Sequence, residues 1–306
     1  MRAIRIHRFG GPEVLQLDQV GEFEAKDGKL VIKVAAASVN PVDYKIRQGG
    51  YPKVKTDDLP ITLGRDVAGV VQTSTGGFER GDEVYAHLGW EDGGYADYAL
   101  CKPSGVALKP ASLDLTQAAA VPLAATTAWQ GLFDHGGLKP GQRVLIHGAA
   151  GGVGGFAVQF AKAKGAYVLA TASGEGLAQV KALGADMVID YEKDRFETTA
   201  QDIDLVYDLI GKTTQERSFA TLKPSGTLIS TVALTETSKA IADERHIKAE
   251  RYMAEPNAEE LAEIGKLIDE GKVKVMVAKT FPLENASDAH RALETEHPRG
   301  KIVLLT

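Results

Sequence analysis

The chain contains one cysteine, Cys101, in 306 residues. An intramolecular disulfide is therefore impossible, and a cysteine cage for zinc is excluded. Nowhere do about eighteen apolar residues run together, and the opening MRAIRIHRFGGPEVL lacks the apolar stretch of a signal peptide. The expectation is a soluble cytoplasmic protein without a membrane partner. Lys and Arg, 35 together, are outnumbered by 41 Asp and Glu and form no basic run. A formal charge of −6 and a pI near 5.7 argue against nucleic acid as the main partner. Repeats with periods of roughly 20–50 residues and low-complexity segments are also missing. His7, His87, His135, His246, His290 and His297 show no metal-ligand spacing.

What remains is ordinary globular material, 44% hydrophobic and 25% charged, long enough for two domains. Residues 1–121 lack helical periodicity and carry short β-rich runs (AIRIHRF, KLVIKVAAASV, DVAGVVQTS, DEVYAHL, GYADYALC) separated by Gly, Pro and Asp turns. This texture predicts a compact β-barrel-like domain. From Leu115 the chain turns alanine-rich and helical, and from Arg143 strands alternate with helices. That alternation predicts a parallel, doubly wound sheet. HIKAERYM is a sixth-strand candidate, and NAEELAEIGKLIDEG is an amphipathic helix with Asn257 as its N-cap. The closing KIVLL returns to the N-terminal domain.

The most informative stretch is RVLIHGAAGGVGGFAVQFAKAKGAYVLAT, Arg143 to Thr171. A buried strand, Val144–His147, runs into a glycine-rich turn, a helix over about 155–164 and a second strand, Tyr167–Thr171. Glycines let backbone N–H groups approach a ligand, and a helix start adds unpaired N–H groups and a positive dipole end. The combination suits a pyrophosphate. Ala149 replaces the first glycine of the G-x-G-x-x-G pattern. The second strand ends in Thr171-Ala172-Ser173 with no acid. A carboxylate there would bind the 2′-hydroxyl of NAD and repel a 2′-phosphate, so NADPH is the better fit. Glu175 is the wrong charge for that neighbour.

Elsewhere the plain reading competes with a functional one. Asp43, in SVNPVDYKIRQGGY, is either a cap in a turn or a site residue. Arg65-Asp66 reads as a solvated ion pair. His147 reads as a satisfied core histidine and Cys101 as a packed small hydrophobe.

Taken with SVNPVDYKIRQG, LGRDVAGVV, GDEVYA, GGYADYA, AAAVPLAATTAW, ALGADMVIDY and LKPSGTLIS, these segments resemble the medium-chain dehydrogenase/reductases, in the zinc-less quinone oxidoreductase branch. The resemblance covers essentially the whole chain. It implies an α/β protein with a GroES-like β-rich catalytic domain (1–121 and 273–306) around a Rossmann domain (122–272). It also implies an NADPH cofactor. At the places of the zinc ligands in related alcohol dehydrogenases stand Asn40 and Leu63-Gly64-Arg65-Asp66, so no metal is expected. Carried over by position, Asn40, Tyr44 and Tyr51 would form the catalytic pocket, with Asp43 shaping its entrance. Thr127, at a helix start, would touch the cofactor. Ala150, Gly151, Gly152 and Val153 would hold the pyrophosphate, and Ser173 and Tyr191 the 2′-phosphate. Relatives place a Lys, Arg or Asn shortly after that serine, where this chain has Glu175-Gly176. The implied activity is zinc-independent hydride transfer from NADPH to a quinone. Reduction of the C=C bond of an α,β-unsaturated carbonyl (an enone) and a non-catalytic NADPH-binding sensor are the alternatives. A homodimer is expected through the ISTVAL and HIKAERYM strands at the sheet edge.

Overall fold

A computed structural model describes residues 1–21, 28–90, 93–296 and 298–306. His297 lies outside the described residues. The chain divides into two compact units, one of Met1–Thr126, Glu255–Glu270 and Val275–Thr306, the other of Thr127–Ala254 and Gly271–Lys274. The amphipathic helix Ala258–Asp269 groups with the first unit.

The first unit is built around the strand Leu30–Val39, whose run LVIKVAAASV is almost wholly buried. One of its edges pairs with Asp66–Val71. Its other edge is shared end to end: Leu30–Lys33 pair with Tyr98–Cys101, and Ala36–Val39 pair with Lys301–Leu305. The closing KIVLL thus returns to the N-terminal sheet as expected. Glu83–His87 and Val106–Leu108 extend the sheet beyond Asp66–Val71. A smaller three-stranded sheet carries Arg2–Ile6 at its centre. The segment read as a turn after Asn40 is a helix, Pro41–Arg47. Pro at its first position and reciprocal Asn40–Asp43 capping start it, a short-range signal that overrides the β texture around it.

The second unit is a six-stranded sheet, parallel throughout. Numbered along the chain as Arg143–Ile146, Tyr167–Ala172, Met187–Asp190, Ile203–Asp208, Leu222–Ser230 and Lys248–Arg251, its strands lie in the order 3-2-1-4-5-6. Continuous apolar runs such as Val144-Leu145-Ile146, all 0% exposed, match a sheet covered on both faces. The strand order reverses beside Arg143–Ile146, which is where α/β sheets bind ligands. Lys248–Arg251 is the edge, and the strand carrying ISTVAL lies one place inside it, which corrects the expectation that both were edges. A polar helix, Glu236–Arg245, joins these two strands.

Candidate active site

In the second unit, the central strand hands over to the turn at Gly148, whose φ of +73° is left-handed and costs a residue without Cβ little. The helix Gly152–Ala163 begins three residues earlier than the sequence pattern suggested. Gly154 lets this helix sit against the turn, since a Cβ there would lie 2.2 Å from the Gly148 carbonyl oxygen. The N–H groups of Gly152, Val153 and Gly154 occupy the first helical positions, which have no intrahelical acceptor. Ala150 and Gly151 form the outer part of the turn. Gln179 Nε2 donates to the Ala150 carbonyl at 3.2 Å, which anchors the turn to the next helix.

The second strand ends at Ala172, and there the Ser173 hydroxyl donates to Tyr191 Oη at 2.9 Å. The two residues expected together are together, and Tyr191 is 57% exposed. Thr171 turns inward: its hydroxyl meets His147 Nδ1 at 3.0 Å, while His147 Nε2 meets Ser218 Oγ at 2.9 Å. His147 is the satisfied core residue expected, and burial holds it neutral. Lys181 Nζ donates to the Ala185 and Asp186 carbonyls, so it is tied to the far end of its helix. Thr127 is not at a helix start. Pro122 begins that helix, which places Thr127 near its end, where its carbonyl accepts from Tyr207 and Tyr252.

The first unit gathers an unusual set of charges. Asp66 is wholly buried and accepts from the Ser38 hydroxyl at 2.5 Å, Asn40 Nδ2 at 2.8 Å and the Leu123 N–H at 2.6 Å. Lys301 Nζ donates to Asn40 Oδ1 and to the Val39 carbonyl, and lies 3.8 Å from Asp66. Burial lowers the Lys301 pKa, while Asp66 and Asp43 hold its charge. Asn40, 4% exposed, has both ends of its amide engaged. Its own N–H donates to Asp43 Oδ2. Asp43 is therefore the cap of the plain reading and also part of a larger cluster. Burial pushes its pKa up to about 6 against the pull of Arg65 and the hydrogen bonds from Asn40 and Tyr95.

A second chain of bonds reaches Asp43 from the opposite side. Arg47, whose guanidinium can only donate, meets His290 Nδ1 at 3.2 Å. The His290 proton is thereby placed on Nε2, which faces Tyr95 Oη at 3.3 Å; Tyr95 donates to Asp43 Oδ2 at 2.9 Å. Burial pushes the His290 pKa down to about 3 and that of Tyr95 far up. Gly64, with φ +98°, leaves room for Tyr95, whose ring a Cβ would meet at 2.4 Å.

Arg65 and Asp66 are not the solvated pair expected. Arg65 is 5% exposed and its Nη1 donates to the Gly89 carbonyl at 3.2 Å. Its guanidinium also lies 5.0 Å over the Trp90 ring. Tyr51 stacks on Trp90 at 4.8 Å, and Lys53 Nζ sits 4.8 Å from the same ring. Tyr44 is half-buried on the helix Pro41–Arg47, and burial raises its pKa, so its hydroxyl keeps its proton. Beside Trp90 opens a cavity of about 310 Å³. Tyr95 stands in GGYADYA and Lys301 opens KIVLL, but neither segment, nor anything around His290 and Trp90, signals the roles these side chains take in the fold. Among the described residues no group of three or more His, Cys, Asp or Glu is placed to hold a metal ion, and no helix is long and apolar enough to cross a membrane.

Comparison with known proteins agrees with this layout. The family described as alcohol dehydrogenase GroES-like domain matches residues 26–111, and that described as zinc-binding dehydrogenase matches 183–304. The chain is 36% identical to the chloroplastic NADPH-dependent alkenal/one oxidoreductase of Arabidopsis thaliana, over 99% of its own length and 79% of the relative's. The quinone oxidoreductase of Coxiella burnetii superposes with a TM-score of 0.92 at 37% identity, covering 100% of this chain and 99% of that one. The Escherichia coli quinone oxidoreductase complexed with NADPH superposes with a TM-score of 0.91 at 29% identity over 100% of both chains.

Proposed function

Since the chain belongs to the quinone oxidoreductase branch of the medium-chain dehydrogenase/reductase superfamily, an oxidoreductase family with an NAD(P)-binding dehydrogenase fold, we propose that it is an NADPH-dependent, zinc-independent quinone reductase. The observation that carries this reading is the open glycine turn in the second unit, followed by a strand end with paired hydroxyls and no acid. The N–H groups of Gly152 and Val153, beside the Cβ-free backbone of Gly151, hold the pyrophosphate, with Ala150 and Thr127 beside them. Ser173 and Tyr191 take the 2′-phosphate. Bound NADPH supplies the hydride; a proton must also reach the reduced acceptor.

Asn40, Tyr44 and Tyr51 serve the acceptor. Asn40, locked by Lys301 and Asp66, acts by capping the helix that carries Tyr44. Tyr44 stays protonated at neutral pH and is one proton donor; Tyr51 is the other. The zinc ion that one family description implies does not fit the residues present. Asp66 is already engaged by an ammonium, a hydroxyl and amides, and among the described residues no group of three ligands assembles around it. Without such an ion, rate comes from orientation and exclusion of water toward an acceptor that is already electron-poor.

The test is NADPH oxidation by chelator-treated protein, assayed side by side with 1,4-naphthoquinone and a medium-length alkenal. Quinone turnover is expected to dominate. Faster alkenal turnover would favour C=C reduction, the second reading, which the Arabidopsis relative supports. Tight NADPH binding with no acceptor turned over would mark a non-catalytic sensor and sink the enzyme. We place the dimer contact at the edge strand Lys248–Arg251; a monomer mass by light scattering would rule it out.

A further inference from the structure

In the second unit, the strand end that would take the 2′-phosphate of NADPH is acidic. Ser173-Gly174-Glu175-Gly176 is a tight turn, closed by the Gly176 N–H on the Ser173 carbonyl at 3.0 Å, with Gly174 left-handed at φ +53°. Glu175 is therefore exposed two residues from Ser173. Alongside, the third strand ends in Asp190, in register with Ala172, and runs on through Tyr191, Glu192, Lys193 and Asp194. Four carboxylates, Glu175, Asp190, Glu192 and Asp194, thus stand against one ammonium, Lys193, which is bound to Asp190 at 3.0 Å. The other cations around them are held away. Lys181, on the helix Gly176–Ala182, donates to the Ala185 and Asp186 carbonyls. Arg195 and Arg217 both close on Glu197, at 2.9 and 2.6 Å. Lys212 follows the fourth strand, on the far side of the central one. His147 lies beneath, bonded to Thr171, and burial holds it neutral.

The hydroxyl pair is equally selective. Ser173 Oγ gives its one proton to Tyr191 Oη, so the exposed Tyr191 still has its own O–H to donate, while Ser173 keeps a lone pair to receive one. The pair offers one donor and one acceptor. A phosphate dianion can only accept hydrogen bonds. The monoanion accepts them and also carries one P–O–H to give. Beside an excess of carboxylates, the form with less negative charge and a proton to donate is favoured. A phosphate monoester loses that proton at about pH 6, so both forms are accessible in ordinary buffers.

We propose that this strand end takes the 2′-phosphate as its singly protonated monoanion, that Glu175 imposes the choice, and that preference for NADPH over NADH grows as pH falls from about 8 to about 6. The proposal rests on the NADPH part of the reductase reading. A phosphate that keeps its proton to higher pH when bound than when free binds best below its free value of about 6. That gain is lost as pH rises through the bound value. For a bound value about one unit higher, the ratio of the Kd for NAD+ to that for NADP+ falls about fivefold between about pH 6 and about pH 8. About half a proton is then taken up with NADP+ near pH 6.5. A lysine in place of Glu175 would hold the dianion instead and reverse both signs.

Isothermal titration calorimetry with NADP+ and NAD+, run in two buffers of different ionisation enthalpy, reads the ratio and the proton count without any turnover. The natural protein is expected to show the fivefold fall, with proton uptake for NADP+ and none for NAD+. Glu175→Gln is expected to flatten the ratio. Glu175→Lys is expected to make it rise with pH and to tighten NADP+ binding about tenfold near pH 8. A ratio that is flat or rises with pH in the natural protein, or proton release on binding NADP+, would overturn the proposal while the reductase reading stands on acceptor turnover. An unchanged slope in Glu175→Gln would remove the role of Glu175 and sink the proposal with it. The expected slope and uptake in a protein that turns over no acceptor would support the proposal while the reductase reading fails.

Discussion

In the second unit, the ligand-binding turn is made almost entirely of backbone. The N–H groups of Gly152, Val153 and Gly154 at its helix start have no intrahelical acceptor, and no side-chain charge lies among Gly148–Gly154. In the first unit the Asn40–Asp66–Lys301 cluster is made almost entirely of side chains, and those groups satisfy one another. An open backbone site invites an anion and gains most of its stability on binding. A closed cluster of charges asks for no ligand and fixes the geometry of what surrounds it. A buried polar group is thus a poor pointer to ligand contact when its partners are internal, as the fully engaged amide of Asn40 illustrates.

The sharpest way to break this contrast is to remove the internal cation. Lys301→Met leaves Asp66 buried without its ammonium and is expected to cost about 3–5 kcal/mol in denaturant unfolding. Adding Asp66→Asn should recover much of that loss; if it does not, the cluster is not held by mutual charge. A comparable effect is expected from acid. His290 and His87 titrate near 3 and 4 in the fold against an ordinary 6.5, so the unfolded chain binds their protons first. Stability should fall as pH drops from about 6.5 toward 4. Asp43, raised from 3.8 to about 6, works in the opposite sense, contributing stability below about 3.8 that is lost as pH rises through 6. His147, pushed down to about 4 by burial, acts with them, and three histidines outweigh one carboxyl. His290→Gln should flatten the pH dependence of the unfolding midpoint, and an unchanged slope would refute this assignment.

Smaller effects belong to the open site. Gly154→Ala forces a Cβ toward the Gly148 carbonyl oxygen and is expected to cost about 1–3 kcal/mol. It should also weaken NADPH binding more than tenfold by fluorescence titration. Smallest of all, Ser173→Ala and Tyr191→Phe should each lower the preference for NADPH over NADH by about three- to tenfold, the worth of one hydrogen bond of about 0.5–1.5 kcal/mol. An unchanged ratio in both variants would exclude these hydroxyls from the 2′-phosphate site.

The two regions were not equally legible. The glycine turn is contiguous in sequence, and strand, turn and helix signal each other over the single stretch Arg143 to Thr171. Ser173 and Tyr191 are paired in the sequence only through the family resemblance; in the fold they meet because each stands just past the end of a strand, and those strands are neighbours. The charged cluster is assembled from Asn40, Asp66 and Lys301, and no local pattern ties residues so distant. Arg65-Asp66 therefore read as solvated. Their burial depends on pairing of Asp66–Val71 with strands on both sides. Thr127 was misplaced for a local reason: the alanine-rich run hides where its helices begin, and Pro122 decides it. The polar helix Glu236–Arg245 carries too few apolar residues to announce a buried face.

The end-to-end sharing of the strand Leu30–Val39 also has a consequence for synthesis. The second unit is nearly contiguous, so its sheet can assemble once about residue 254 has emerged. The first unit must wait for Lys301–Leu305, because the Ala36–Val39 half of its central strand has no partner on that edge until then. During synthesis the second unit can therefore form while the first is still open along one seam. The last strand to arrive also delivers Lys301, the cation that the buried carboxylates of that unit require.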